Sequence, residues 1–459
     1  MSEKNMKKSR GRLFTLLGAA ALTALTMWGC GTDGYNDPEA ASRAELDAIV
    51  TTTKAPAIID AQTLKSWVDQ GKLNATAGSL MSKDRVALVS VTTMANYTTA
   101  SKLHIPGSAL FDSGTELYAT REEGLGSVGS MVPTGAQMDT VIKKLGIDEN
   151  TTIVLTLPKK SGANAAVSSH YQVSRAFWTF RYWGFDRNRI KILNGGDEAW
   201  ETAGYTALTK TAPTITPSAY SVAKNKAGLK DVLRFSLSEL LERVDAFITS
   251  PNLLNGWQMV EARGDGTGTY ITNALRTAAT DASAVDALMF VTDRVVAGDT
   301  TSNRLYPAKD VLLQRMNTLA LNNAGTNAFL SPSKKTIVMC GSAISASPSF
   351  VLYDAVLGVP EGDIMMYDGS SSQWAGYSNA RITAVNPTAT AGQIEAWAFD
   401  TRVQNPAGLT GSNQLLSGYA LYAPSNPLMN QIENFDKAYM STSSATTGGA
   451  VTGSAGGGC

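Results

Sequence analysis

Between residues 55 and 385, short unbroken apolar runs alternate with segments of helical period. The runs are Val86-Ala87-Leu88-Val89-Ser90-Val91, Ile153 to Leu157, Ile190 to Leu193, Gln258 to Ala262, Thr336 to Cys340 and Ile364 to Tyr367. They have strand length and lack the apolar–polar alternation of a half-exposed strand. Helices are predicted between them. Ala61 to Gln70 places Leu64, Trp67 and Val68 on one face and stops at Gly71. Thr134 and Gln137 form a capping box ahead of Met138, Val141, Ile142 and Leu145, and Gly146 ends that helix. Others are expected near Val173 to Trp183, at Glu198 to Thr202, from the Ser236/Glu239 cap through Ala246, and at Ala308 to Leu319 behind Pro307. The last runs from Ser347 to Gly358, with Ser347 as N-cap, Pro348 in the first turn and Gly358 as exit. Strands apolar on both faces, alternating with helices, predict an α/β fold: parallel sheets with helices on both faces. The order occurs twice, predicting two like-folded domains over residues 51–215 and 216–385. Residues 264–335 make a long connection inside the second.

The two ends follow other patterns. Lys4, Lys7, Lys8, Arg10 and Arg12 precede an apolar stretch, Leu13 to Trp28, closed by Gly29-Cys30. This is a targeting segment and lies outside the fold. It is similar to a bacterial lipoprotein signal, residues 1–30, in which Cys30 becomes the lipidated first residue. Met27-Trp28 stands where Leu and a small residue are usual, so a plainly cleaved export signal and an uncleaved anchor stay open. The resemblance implies a lipid anchor in the cell envelope, and Gly31 in place of Asp implies the outer membrane of a Gram-negative bacterium. Residues 31–50 read as a polar tether. Residues 386–459 match neither repeat and are expected to form an irregular C-terminal extension. Its end, Ser441 to Cys459, holds Gly, Ser, Thr and Ala with one Val before the final Cys and reads as a disordered tail.

The 459 residues carry 39 basic and 39 acidic side chains. That balance supplies no strong field to draw in nucleic acid or an acidic membrane surface. Cysteine occurs at 30, 340 and 459 and histidine at 104 and 170, with no Cys-x-x-Cys pair. Zinc, haem and iron–sulfur sites are not expected, and no cofactor or metal is implied. The chemically informative thiol is Cys340. It ends the run Thr336-Ile337-Val338-Met339 and opens the loop Cys340-Gly341-Ser342-Ala343-Ile344-Ser345-Ala346, just before a helix start. Free N–H groups and the helix dipole favour a thiolate or a bound anion there. The bland alternative is a small apolar side chain that only packs.

Several motifs resemble a tandem-domain rhodanese, a sulfurtransferase. His104-Ile105-Pro106-Gly107-Ser108 resembles the family's His-Ile-Pro-Gly-Ala turn. Arg175-Ala176-Phe177-Trp178, Tyr182-Trp183-Gly184, Leu193-Asn194-Gly195-Gly196 and Trp200 follow the order of its Arg-containing helix and Leu-Asp-Gly-Gly…Trp ending. Residues 340 to 346 resemble Cys-Gly-Ser-Gly-Val-Thr-Ala, with Tyr367-Asp368-Gly369-Ser370 and Trp374 at the expected distance. The resemblance spans roughly residues 55–385. It implies that the first domain lacks the nucleophile, and the loop after Leu157 indeed has no Cys. It also implies that Cys340 carries sulfur as a persulfide, held by residues 341–346. Relatives with Gly-Ser after the Cys prefer 3-mercaptopyruvate, and those with Arg-Lys prefer thiosulfate.

The chain departs from that family at several positions. Ala343 replaces a Gly, so a positive φ there would cost roughly 1–2 kcal/mol. Glu261-Ala262-Arg263 matches Asp-Ala-Arg, but the second Arg is Thr267. Arg263 either binds a substrate carboxylate or holds an internal ion pair. Ser130-Met131-Val132-Pro133 replaces His-Met-Leu-Pro, leaving the serine-activating triad of mercaptopyruvate enzymes incomplete. Ser90-Val91-Thr92 replaces Asp-Val-Arg. Ser342 and Ser345 either donate to bound sulfur or hold the turn. His104 is expected to bond backbone, His170 to sit on the surface or a helix, and Tyr367 and Trp374 to floor the cleft or pack in the core. Cys459, on a tail of about 20 residues spanning roughly 25 Å, either visits the cleft as a resolving thiol or belongs to an unrelated tail that ties to another protein or does nothing. Two functions stay open. One is an envelope sulfurtransferase using a small-molecule sulfur donor and a thiol or cyanide acceptor. The other is a non-catalytic lipoprotein that serves a cell-envelope protein partner as a structural or binding subunit.

Overall fold

A computed structural model describes residues 52–76, 84–98, 103–124, 126–157, 165–240, 242, 256–262, 287–289, 305–319, 321–322, 330–370, 372–373 and 430–442. They belong to one compact unit, Thr52–Cys459. Its first sheet runs β1 (Ile58–Ile59), β7 (Ile190–Leu193), β6 (Thr152–Thr156), β2 (Val86–Thr92), β3 (Ala109–Asp112), every pair parallel. The second runs β12 (Ile364–Met366), β11 (Lys335–Met339), β8 (Trp257–Glu261), β9 (Ala287–Met289), again parallel, with β10 (Leu321–Asn322) antiparallel at the edge. A hairpin, β4 (Ala119–Glu123) and β5 (Gly126–Met131), stands apart.

The two sheets are paired alike within this one unit. Arg234 bridges Met366 in parallel, as β1 pairs with β7. Counted from that edge, both sheets have one strand order, so β6 matches β11. Leu157 then occupies in the first sheet the place that Cys340 occupies in the second.

Alternate residues of the first sheet face opposite ways, as the strand period requires. Val86, Leu88 and Val154 pack with Leu64 and Trp67 of α1 (Ala61–Asp69) and with Trp200 of α4 (Gly196–Thr202). Ala87, Val89, Ile153 and Leu155 pack instead under α2 (Gly135–Lys144) and α3 (Ala165–Tyr182). That second core continues into the other sheet and takes in Val260, Val338, Cys340 and Phe350. The Thr134/Gln137 capping box is in place, as are the reciprocal Ser236 and Glu239 bonds. The helix expected behind Pro307 is α5 (Lys309–Leu319).

Two elements differ from the expected pattern. Ser347 is not an N-cap but the first residue of α6 (Ser347–Val351). Its backbone is already helical, so Ala346 takes the cap position, and its hydroxyl donates back to the Ala343 carbonyl at 2.7 Å. The helix continues as a π-helix, Leu352–Leu357, and leaves through Gly358 at φ 72°. Within the extension expected to be irregular, Gln431–Ser441 forms α7. It docks on the first half. Asp436 receives both Arg121 Nη groups at 2.8 Å and the Tyr182 hydroxyl at 2.8 Å, and Tyr439 donates to Asp139 at 2.7 Å. No helix among the described residues is long and apolar enough to cross a membrane.

Candidate active site

Cys340 follows β11 directly. Its N–H donates to the Ser370 hydroxyl at 3.2 Å, and that hydroxyl donates to the Tyr367 carbonyl at 2.8 Å. Ser372 donates to the Gly341 carbonyl from both its N–H and its hydroxyl, at 3.0 and 2.6 Å. The loop is thereby fastened to the turn after β12. Both lie beyond the carboxyl ends of parallel strands, where open α/β sheets bind ligands.

Ala343 sits at φ 59°, the left-handed conformation that its Cβ disfavours. Ala343 and Ala346 are 0 % exposed. Neither N–H donates to an acceptor among the described residues, and the same holds for Gly341, Ser342 and Ile344. Buried amides are paired almost without exception in folded proteins. A loop strained in this way, with unpaired donors, suits an anion held at its centre. The sulfur itself is covered: Cys340 is 2 % exposed, where a site open to small molecules was expected.

The first half supplies the facing wall. Arg175, on α3, is 0 % exposed. Its guanidinium lies 4.5 Å from the Trp178 ring centre and 5.7 Å from that of Tyr118. One Nη donates to the Ser130 carbonyl at 2.8 Å, and the other meets Met366 Sδ at 3.9 Å. Ser130 reaches this position through a backbone at φ 61°. The nearest carboxylate, Asp368, stands 3.8 Å away, beyond hydrogen-bond range. Arg175 Nε and the Tyr118 hydroxyl are buried and without a partner among the described residues. Cys340 acts electrostatically on both groups. Burial pushes the Tyr118 hydroxyl up to about 12, with Arg175 opposing and Cys340 adding to the rise.

Behind Asp368 lies a second buried guanidinium. Arg234 bonds Glu123 at 2.7 Å, Asp368 at 2.8 Å and, more weakly, Glu433 of α7 at 3.4 Å. Burial pushes Glu433 up to about 8, against the pull of Arg234. Asp368 also accepts the Val132 N–H at 3.1 Å, and Gln373 donates to Glu123 at 2.9 Å.

The remaining sequence-derived candidates divide. Residues 341–346 are gathered in the loop, with Ser342 and Ser345 half-buried. Arg263, Thr267, Trp374, Cys30 and Cys459 lie outside the described residues. Tyr367 is buried in the core. His104 stacks on Tyr97 at 4.0 Å, with Nδ1 3.1 Å from the Ser108 hydroxyl and 3.2 Å from the Ile105 carbonyl. Burial holds its pKa below the ordinary value, as a turn-holding imidazole requires. His170 is a buried residue of α3, 5.1 Å from the Tyr306 ring, not a surface one. Arg175 and Tyr118 were given no role by the sequence. One signal pointed to Arg175: a cation opening an otherwise apolar helical stretch, Ala176-Phe177-Trp178, is buried only with a reason.

No family profile matches the chain. A Caenorhabditis elegans protein named a thiosulfate sulfurtransferase, mpst-4, is 32 % identical over 100 residues, which is 22 % of this chain. The match spans about a third of that relative, 31 % of its length. Among solved structures, the Tum1 protein from Saccharomyces cerevisiae is 16 % identical, covering 69 % of this chain and 94 % of its own, with a TM-score of 0.45. YnjE is 17 % identical over 70 % of this chain and 66 % of its own, also at 0.45. Wild-type EanB is 15 % identical over 70 % and 67 %, again at 0.45. The sequence likeness is thus to a sulfurtransferase, at a distance.

Proposed function

We propose that the chain is a rhodanese-type sulfurtransferase in which Cys340 carries sulfane sulfur from a small donor to a thiophilic acceptor. The observation that carries this reading is the set of buried, unpaired N–H groups around Ala343 and Ala346, next to a thiol at a strand's carboxyl end. With thiosulfate as donor, the Cys340 thiolate attacks the outer sulfur. A Cys–S–S⁻ bond forms, the S–SO₃ bond breaks, and sulfite leaves with the bonding pair. Cyanide or a thiolate then attacks the terminal sulfur, takes it away, and returns the thiolate. Charge is conserved in both steps. The terminal persulfide sulfur is anionic, which is what preorganised donors stabilise. A mercaptopyruvate-like donor fits the Gly341-Ser342 loop equally, its C–S bond breaking as the thiol proton passes to carbon. The protein would act from the cell envelope, anchored through Cys30.

The test is thiocyanate formation from thiosulfate or 3-mercaptopyruvate with cyanide, compared with Cys340→Ala, together with the intact mass after donor treatment. The reading expects turnover lost in the variant and one sulfur atom gained on the wild type. Turnover equal in both proteins refutes it. A second reading is favoured by one observation, the 2 % exposure of Cys340. Under it the fold is a non-catalytic envelope subunit in which the thiol packs, and donor treatment adds no mass.

A further inference from the structure

The wall opposite the Cys340 loop contains a cation that its surroundings do not fully engage. Arg175 is wholly buried, yet its nearest carboxylate is 3.8 Å away. Both Asp368 oxygens are already engaged, by Arg234 Nε at 2.8 Å and the Val132 N–H at 3.1 Å. Arg175 Nε meets no acceptor among the described residues, and neither does the neighbouring Tyr118 hydroxyl. The pair with Asp368 at 3.8 Å leaves Arg175 Nε and the Tyr118 hydroxyl unsatisfied, and buried polar groups in that state favour an anion beside them. Contacts link Arg175 to the loop. Met366 Sδ touches Arg175 at 3.9 Å and the Ser347 hydroxyl at 3.7 Å, and that hydroxyl is bonded to Ala343. The charged and titratable groups facing the thiol from this side are Arg175, Tyr118 and, behind them, Asp368 and Arg234.

We propose that Arg175 and Tyr118, brought by the N-terminal half, hold the negative charge of Cys340 both as thiolate and as persulfide, a role that rests on the sulfur-transfer reading above. The two groups would do from the opposite side what a loop cation does in a thiosulfate-preferring relative, since residues 341–346 carry no charge. The guanidinium supplies a fixed cation, and Tyr118 an O–H donor that stays protonated. Neither forms a bond to sulfur, so the transfer steps balance as written.

The experiment is iodoacetamide labelling of the full-length protein, with the Cys340 peptide quantified by mass spectrometry at about pH 7 and about pH 10. The ratio of the two rates cancels access to the buried thiol. Arg175→Met should lower that ratio severalfold, because a thiolate without the neighbouring cation forms less readily at the lower pH. Tyr118→Phe, which removes one oxygen and leaves no bond unmade, should lower it less and melt with the wild type. It therefore keeps the test valid if Arg175→Met does not fold. An unchanged ratio in Tyr118→Phe and in any folded Arg175 variant overturns the proposal. No labelling of the folded wild type overturns it together with the sulfur-transfer reading. Shifted ratios without thiocyanate formation support the pocket and overturn only that reading.

Discussion

Arg234→Met should cost this protein several kcal/mol. Arg234 is 0 % exposed and bonds Glu123 at 2.7 Å and Asp368 at 2.8 Å. Methionine roughly fills the volume but leaves Glu123 buried without its cation. Breaking buried pairs from one side costs about 3–5 kcal/mol. Unfolding entropy is about 2 cal/mol/K per residue, so the roughly 400 residues of the compact unit give about 0.8 kcal/mol/K. The expected fall in Tm is therefore about 4–6 °C near neutral pH. Differential scanning calorimetry of both proteins near neutral pH checks this. A fall below about 1 °C would mean that Glu123 reaches water and the cluster is not buried as described.

Two further changes address α7. Glu433 has its pKa raised from 4.5 to about 8, so its contribution is full below about 4.5 and lost as pH rises through about 8. Glu433→Gln should match wild-type Tm near pH 5 and exceed it near pH 9, whereas parallel profiles would refute the assignment. At Gly135 a Cβ would collide with the Tyr439 ring, so Gly135→Ala should unseat α7 and open Gln431–Ser441 to limited proteolysis. An unchanged digest would show that α7 docks elsewhere.

The strands were legible because both faces of each sheet are covered, which turns a parallel strand into an unbroken apolar run. Capping boxes at Thr134 and Ser236 were legible because the partners lie three residues apart. What escaped depends on partners far along the chain. In α7 the buried positions include Glu433 and Asp436, while Phe435 is 59 % exposed. Its apolar period is thus inverted, and the reason is Arg121 and Arg234, more than a hundred residues away in sequence. Ser347 failed as a cap because the helix starts at Ser347 itself, after a loop turned by the positive φ of Ala343, which a sequence does not display although a Gly-to-Ala departure marked the position. The loop of the site could be read from Cys340 onward. The wall facing it could not, because Arg175 and Tyr118 reach the thiol only through the packing of one half on the other.

That packing couples the distant ion cluster to the thiol. Asp368 lies between two guanidiniums and bonds only one, Arg234, while Arg175 stays 3.8 Å off. Arg234 therefore keeps Asp368 from taking the charge of Arg175. Without Arg234, Asp368 has one buried cation left within reach, and a shift of under 1 Å would pair them at hydrogen-bond distance. Arg175 would then be neutralised from behind and hold the sulfur less well. Arg234→Met should consequently lower the pH 7 to pH 10 labelling ratio of Cys340 in the same direction as Arg175→Met, although Arg234 touches no residue of the loop. Asp368→Asn placed on top of Arg234→Met should restore it, since the competitor for Arg175 is gone. A ratio that follows stability alone, falling further in the double variant, would show that Arg234 supports the fold and has no electrostatic route to the thiol.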